Sequence, residues 1–160
     1  MGMIKILWTA SGKEYKVGKL QRGHYQYMDR QYQFDYVPKE LDGCDHIMTC
    51  GRGKMISEQL PTFSFYTDTS VMVYILYPDK QPILPSWLKE FERMRWNVTR
   101  MDSQANNLKG YFSVFRKKYN AGEIVLGGNS PEVMLKEEEY VETRGAGYCM
   151  YTVAVHSVKE

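Results

Sequence analysis

From one end of the chain to the other, apolar side chains recur at every second position in short runs cut by glycine, proline, asparagine and aspartate. Side chains that alternate across the two faces of an extended backbone give this pattern and a helix does not, so the chain reads as many short antiparallel strands. Ile4, Ile6 and Trp8 alternate with Lys5 and Thr9, Tyr25 and Tyr27 with His24 and Gln26, and Tyr32, Phe34 and Tyr36 with Gln31, Gln33 and Asp35. Each set should bury one face. The run 71–77 is apolar throughout, which predicts a central strand covered on both sides. Pro78 should end it, because proline has no N–H to give the ladder. Further strands are expected at 47–49, from Phe63, and over 97–101, 111–115 and 123–126. Tyr151, Val153 and Val155 mark the last one. Ser86 as a cap, followed by Trp87, Leu88, Phe91 and Met94 at helical spacing, predicts one short helix after Pro85.

About nine or ten strands with no alternating helical segments exclude a doubly wound α/β fold and predict an all-β, jelly-roll-like antiparallel β-sandwich. A closed barrel is the alternative. With no internal repeat and no linker, residues 1–160 read as one domain, long enough to bury a core without metal or disulfide support. Thirteen tyrosines suit half-buried strand positions, where the ring packs inward and the hydroxyl stays wet.

A net charge of +2 is too small for a nucleic-acid footprint. The runs Arg116-Lys117-Lys118 and Glu137-Glu138-Glu139 read as solvated turn and edge. No apolar run reaches the length of a membrane span, and no signal-peptide pattern stands at the N-terminus. If Met1 is the native start, a cytoplasmic location is expected, in the cytoskeleton or a cilium for example; a module excised from a secreted enzyme would be extracellular. Cys44, Cys50 and Cys149 are an odd count without disulfide-framework spacing, which favours free thiols.

No nucleophile elbow, phosphate loop, dinucleotide fingerprint or zinc-protease helix occurs, so no catalytic residue is assigned and the chain is not expected to be an enzyme. Gly51-Arg52-Gly53-Lys54 reads as a turn. Cys44, His46 and Cys50, with Cys149, carry the ligand types zinc prefers, but the paired Cys-x-x-Cys spacing of structural sites is absent and ordinary strand and turn roles are favoured. No metal and no other cofactor is expected. Aromatic faces with polar neighbours could hold a sugar: Trp87, Trp96, Tyr36 and Tyr77 as platforms, Asp29, Arg30, Asn106 and Asn129 as polar anchors. Trp87 fits the core better than a platform. Trp96, flanked by Arg95 and Asn97, is the better candidate for exposure. The expected ligand-binding residues are therefore Trp96, Arg95, Asp29, Arg30 and Asn129, with Asp29-Arg30 favoured as a local ion pair at a strand entry. Met94, Arg95, Trp96 and Met101 would suit a protein interface equally, since Tyr, Trp, Met and Arg are enriched there.

Several segments taken in order carry a resemblance: 29–34 (Asp-Arg-Gln-Tyr-Gln-Phe), Val37-Pro38 with Leu41 and Gly43, Ile47 and Thr49, Phe63-Ser64-Phe65, Val73-Tyr74, Leu84-Pro85-Ser86-Trp87-Leu88, Phe115, and Ala121-Gly122 leading to Leu126-Gly127-Gly128-Asn129. Over most of residues 25–158 the chain resembles a β-sandwich, carbohydrate-binding-type accessory module of bacterial polysaccharide-degrading enzymes. That resemblance implies a noncatalytic binding module whose partner is a glycan. The alternative expectation is an intracellular structural or adaptor protein, cytoskeletal or axonemal for example, docked by protein contacts in a larger assembly. Neither a nucleic-acid nor a membrane partner is expected. Gly127 and Gly128 should serve positive φ or a close backbone approach, and Asn129 should suit the strand exit.

Overall fold

A computed structural model describes residues 4–103 and 108–158. Among these, ten strands form two antiparallel sheets. The smaller sheet has the order β1 (Ile4–Thr9), β5 (Pro61–Thr67), β9 (Gly122–Gly127). The larger runs β2 (Lys16–Lys19), β4 (Asp45–Met48), β10 (Thr152–Ser157), β6 (Val71–Pro78), β8 (Leu108–Tyr119), β7 (Glu92–Ser103), β3 (Gln33–Tyr36). The all-β sandwich expected from alternation is the fold observed.

The apolar run 71–77 is β6, the middle strand of the large sheet, and its alternate residues enter two different cores. Val71, Val73, Ile75 and Tyr77 meet Phe63, Phe65, Ile124 and Leu126 of the small sheet, with Val153 and Val155 beside them. Tyr74 and Leu76 point the other way, onto Leu20, Phe34, Leu41, Val98, Phe112 and Ala154. Among the described residues no second sheet covers that face. Instead the large sheet curls, bringing Phe34 of the edge strand β3 edge-on to His46 of β4 with ring centroids 5.0 Å apart. Backbone bonds from Gly23 to the Phe34 carbonyl and from Met28 to the Thr49 carbonyl help close the curl.

The expected helix after Pro85 is a 3-10 turn, Ser86–Glu90, capped by no side chain, and Met94 belongs to β7. Glu92 and Arg93 already pair with β8, so ladder bonds claim the segment before a helix can extend. Residues 131–144, left unassigned by the alternation, form two short helices, α1 (Glu132–Leu135) and α2 (Glu138–Glu142). Gly127, the last residue of β9, and Gly128 after it serve close approach and not positive φ: a Cβ on Gly127 would lie 2.4 Å from Trp87 Cδ1, and one on Gly128 would lie 1.9 Å from the Ser57 carbonyl oxygen. Among the described residues, no helix is long and apolar enough to cross a membrane.

Candidate binding cleft at the mouth of the curled sheet

Where β6 and β7 end and β8 and β10 begin, the curl stays open as a cleft of about 440 Å³. This lies within the range of small-molecule sites, and the mouth of a curled sheet is a common place for one. Arg100 and Asp102 of β7 form its floor with Phe112 of β8; Tyr32 and Arg30 come from the loop before β3, Lys54 from the 3-10 turn Gly51–Met55, and Lys80 from the turn after β6.

Arg100 is the organising side chain. It is only 5% exposed. Its Nε donates to Asp102 Oδ1 at 2.5 Å, its Nη1 to Gln26 Oε1 at 3.1 Å and to Tyr27 Oη at 3.3 Å, and its Nη2 to Cys149 Sγ at 3.1 Å. The guanidinium also lies 4.1 Å from the Tyr32 ring centroid, a stacked cation–π contact. Burial works against its charge, but Tyr27, Cys149 and Asp102 outweigh that and raise its pKa. Gly110, its register partner on β8, makes the room: a Cβ there would stand 3.0 Å from Arg100 Nε and from Asp102 Oδ1.

The walls are tied by buried polar groups. Asn129 is fully buried and its amide is used internally: Nδ2 donates to the carbonyls of Cys149 (3.1 Å) and Lys54 (3.3 Å), while Oδ1 accepts from the Tyr151 N–H (3.0 Å). Its own carbonyl accepts from Tyr77 Oη at 2.8 Å. Asn129 thus positions the cleft wall without lining it. Asp29 accepts from the N–H groups of Gly51 (2.7 Å) and Arg52 (3.2 Å), fixing the 3-10 turn, and pairs with Arg30 at 3.2 Å. Tyr27 Oη donates to the Met150 carbonyl at 2.6 Å, clamping the loop before β10. Lys54 Nζ donates to the Tyr148 carbonyl at 3.2 Å; burial lowers its pKa, with Cys149 opposing and Arg30 adding to the effect.

The structure separates the residues singled out in the sequence. Arg30 lines the cleft and Asp29 an adjoining recess. Trp96 and Arg95 line neither: Trp96 is half-buried on β7, 6.2 Å from the Tyr74 ring, and Arg95 is exposed beside it. Of the other proposed platforms, Trp87 packs in the core against Phe91 and Tyr151 and Tyr77 is buried, whereas Tyr36 is exposed. Asn106 lies outside the described residues. Cys44 packs inside the curl and Cys50 between the sheets, and among the described residues no three His, Cys, Asp or Glu side chains gather to hold a metal. Burial pushes the Cys44 thiol up to about 11 and raises that of Cys50. Arg100, Lys54, Lys80, Tyr111 and Tyr148 were not singled out. The available signal was the period-two series Val98, Arg100, Asp102, which places a charge pair on the buried face of a strand.

No family model and no curated protein matches the chain. Solved structures that resemble it include two carbohydrate-active enzymes. A β-glucuronidase from glycoside hydrolase family 2 superposes with a TM-score of 0.71 at 20% identity, over 95% of this chain and 14% of that one. A GH138 enzyme targeting pectin rhamnogalacturonan II gives a TM-score of 0.60 at 12% identity, over 98% of this chain and 16% of that one. The chain therefore spans about a seventh of the length of each enzyme, and at these identities the likeness shows a shared fold: a β-sandwich of the kind found in polysaccharide-degrading enzymes.

Proposed function

We propose that the chain is a noncatalytic binding module that holds a saccharide in the cleft at the mouth of its curled sheet. The observation that carries this reading is the lining itself. Tyr111 is 53% exposed and Tyr32 and Tyr148 are half-buried, so sugar-sized aromatic faces stand beside fixed polar groups. The fold, present as a small share of two carbohydrate-degrading enzymes, supports the same reading. The cleft's two carboxylates are already engaged: Asp102 by Arg100, and Asp79 by Ser113 Oγ, which donates to it at 2.5 Å. Glycoside hydrolysis ordinarily needs a pair of carboxyl groups free to act as acid and as base or nucleophile. Affinity electrophoresis across a panel of polysaccharides tests the proposal, with retardation expected for at least one and reduced by Tyr111→Ala but not by Trp96→Ala. No retardation on any glycan rejects it.

A second reading, the adaptor, is favoured by a different surface. Leu7, Trp8, Tyr66 and Val125 are exposed on the small sheet, where Trp8 and Val125 flank the buried Ser64 in register. An apolar patch of this kind suits a protein partner. Co-purification of a defined assembly from native cells, lost in Trp8→Asp, would select this reading over the first.

A further inference from the structure

The cleft is more positive than a neutral sugar needs. Five cations, Arg30, Lys54, Lys80, Arg100 and Lys109, line it against two carboxylates, Asp79 and Asp102. Arg30 and Lys109 have partners outside it in Asp29 and Asp35, at 3.2 and 3.0 Å. Arg100 is paired with Asp102 inside the cleft, and the two remaining cations are less well matched. Lys54 has a backbone carbonyl as its acceptor, and among the described residues Lys80 makes no ion pair. The Nη2 end of Arg100 meets the Cys149 thiol, a weak acceptor, while a guanidinium edge is built to grip a planar anion. Burial lowers the pKa of Lys54, with Arg30 adding to the effect and Cys149 only partly opposing it.

The cleft also continues on both sides. One neighbouring recess shares Lys80, Gly147 and Tyr148 with it and adds Glu137 and Glu139. The other shares Arg30, Tyr32 and Asp102 and adds Asp29. Each flank thus holds two carboxylates against one cation, whereas the centre holds the excess of positive charge. A chain-shaped ligand can follow such a groove, and only its middle is electrostatically suited to an anion.

We propose that the central recess binds the anionic residue of a saccharide chain, bearing a uronate carboxylate or a sulfate ester, with uncharged residues on either side. This rests on the saccharide reading above. Lys54, Lys80 and Arg100 would surround the anion, and Tyr111 and Tyr148 would face the sugar rings.

Titration calorimetry of the full chain tests it with four probes: an oligosaccharide alternating galacturonate with a neutral sugar, its carboxyl-reduced counterpart, a sulfated oligosaccharide of equal length, and a short single-stranded oligonucleotide. One of the two acidic saccharides should bind at least about tenfold more tightly than the reduced chain, the scale of one charged hydrogen bond, and the preference should shrink as salt rises. Which acidic probe is tighter identifies the anion. The double variant Lys54→Gln, Lys80→Gln, with an unchanged melting temperature, should bring the acidic-to-neutral ratio close to unity. Equal binding of acidic and neutral chains overturns the charge inference and leaves the saccharide reading standing. Binding of no saccharide overturns both, as does an oligonucleotide that binds more tightly than every sugar.

Discussion

The two faces of β6 enclose different kinds of interior. Between the sheets, Val73 and Ile75 join Phe63, Phe65, Ile124 and Leu126 in a core sealed on both sides by paired strands. Inside the curl, Tyr74 and Leu76 join Phe34, Val98, Phe112 and Val114, but Gln26, His46, Arg100 and Thr152 are buried in the large sheet or the segment that closes it. The sandwich interior is closed by a separate layer and can be filled with hydrocarbon. The curl is closed by the sheet's own ends and stays open at one mouth, so buried polar groups gather there, most with internal partners, and the mouth is left with unmatched charge. One strand therefore faces a sealed core on one side and, on the other, a curl that opens into the cleft at Pro78.

That contrast can be broken at three points. The largest effect is expected between the sheets: Phe65→Ala, at a position with no exposure, should cost about 3–5 kcal/mol, read as a fall in the urea midpoint with an unchanged slope. A loss under about 1 kcal/mol would mean that the inter-sheet core is looser than its burial implies. Next comes Arg100→Met, which keeps the apolar stem and leaves Gln26 Oε1 and Asp102 without their guanidinium. About 1–3 kcal/mol should be lost, less than for Phe65→Ala because Asp102 is a quarter exposed and can turn to water. An equal or larger loss would make the curl, and not the sandwich, the main source of stability.

The smallest effect at neutral pH concerns His46. Among the described residues neither ring nitrogen has a hydrogen-bond partner, and burial, with a smaller contribution from His24, depresses its pKa from 6.5 to about 3. The unfolded chain then binds a proton that the folded chain refuses, so stability is full above pH 6.5 and falls as the pH drops toward 3. Removing the imidazole as His46→Leu should change stability by no more than about 1 kcal/mol at pH 7 and flatten the decline on acidification. Urea midpoints of the two proteins at pH 7 and 5 decide it. Parallel declines would mean that this imidazole is wetter than the structure shows.

Much of the sandwich was legible because the pleat imposes a period of two that any strand with a buried face must obey. The doubly apolar run 71–77 announced its central place, and Phe34 its inward face. The helix after Pro85 was misjudged because Trp87, Leu88, Phe91 and Met94 share a helical spacing while the last two serve a 3-10 turn's end and a strand; ladder bonds to β8 overrode the local pattern. The site was less legible still. Asn129 and Asp29 stood out as polar residues among turn signals, yet both are occupied with backbone groups brought from far along the chain.

Alternation and punctuation alone determined that the chain pairs strands and that Phe34 and the run 71–77 are buried, since the pleat is a local consequence of backbone geometry; Trp8, Tyr25 and Tyr36, expected to face inward, are exposed, and register shifts at Ile6/Trp8 and Phe34/Tyr36 interrupt the alternation there. Only the tertiary structure decided that the large sheet curls, that Gly110 leaves space for Arg100, and that five cations from separate segments share one cleft. Those facts depend on contacts between residues distant in sequence, and charge acquires a meaning for binding only when its neighbours in space are known.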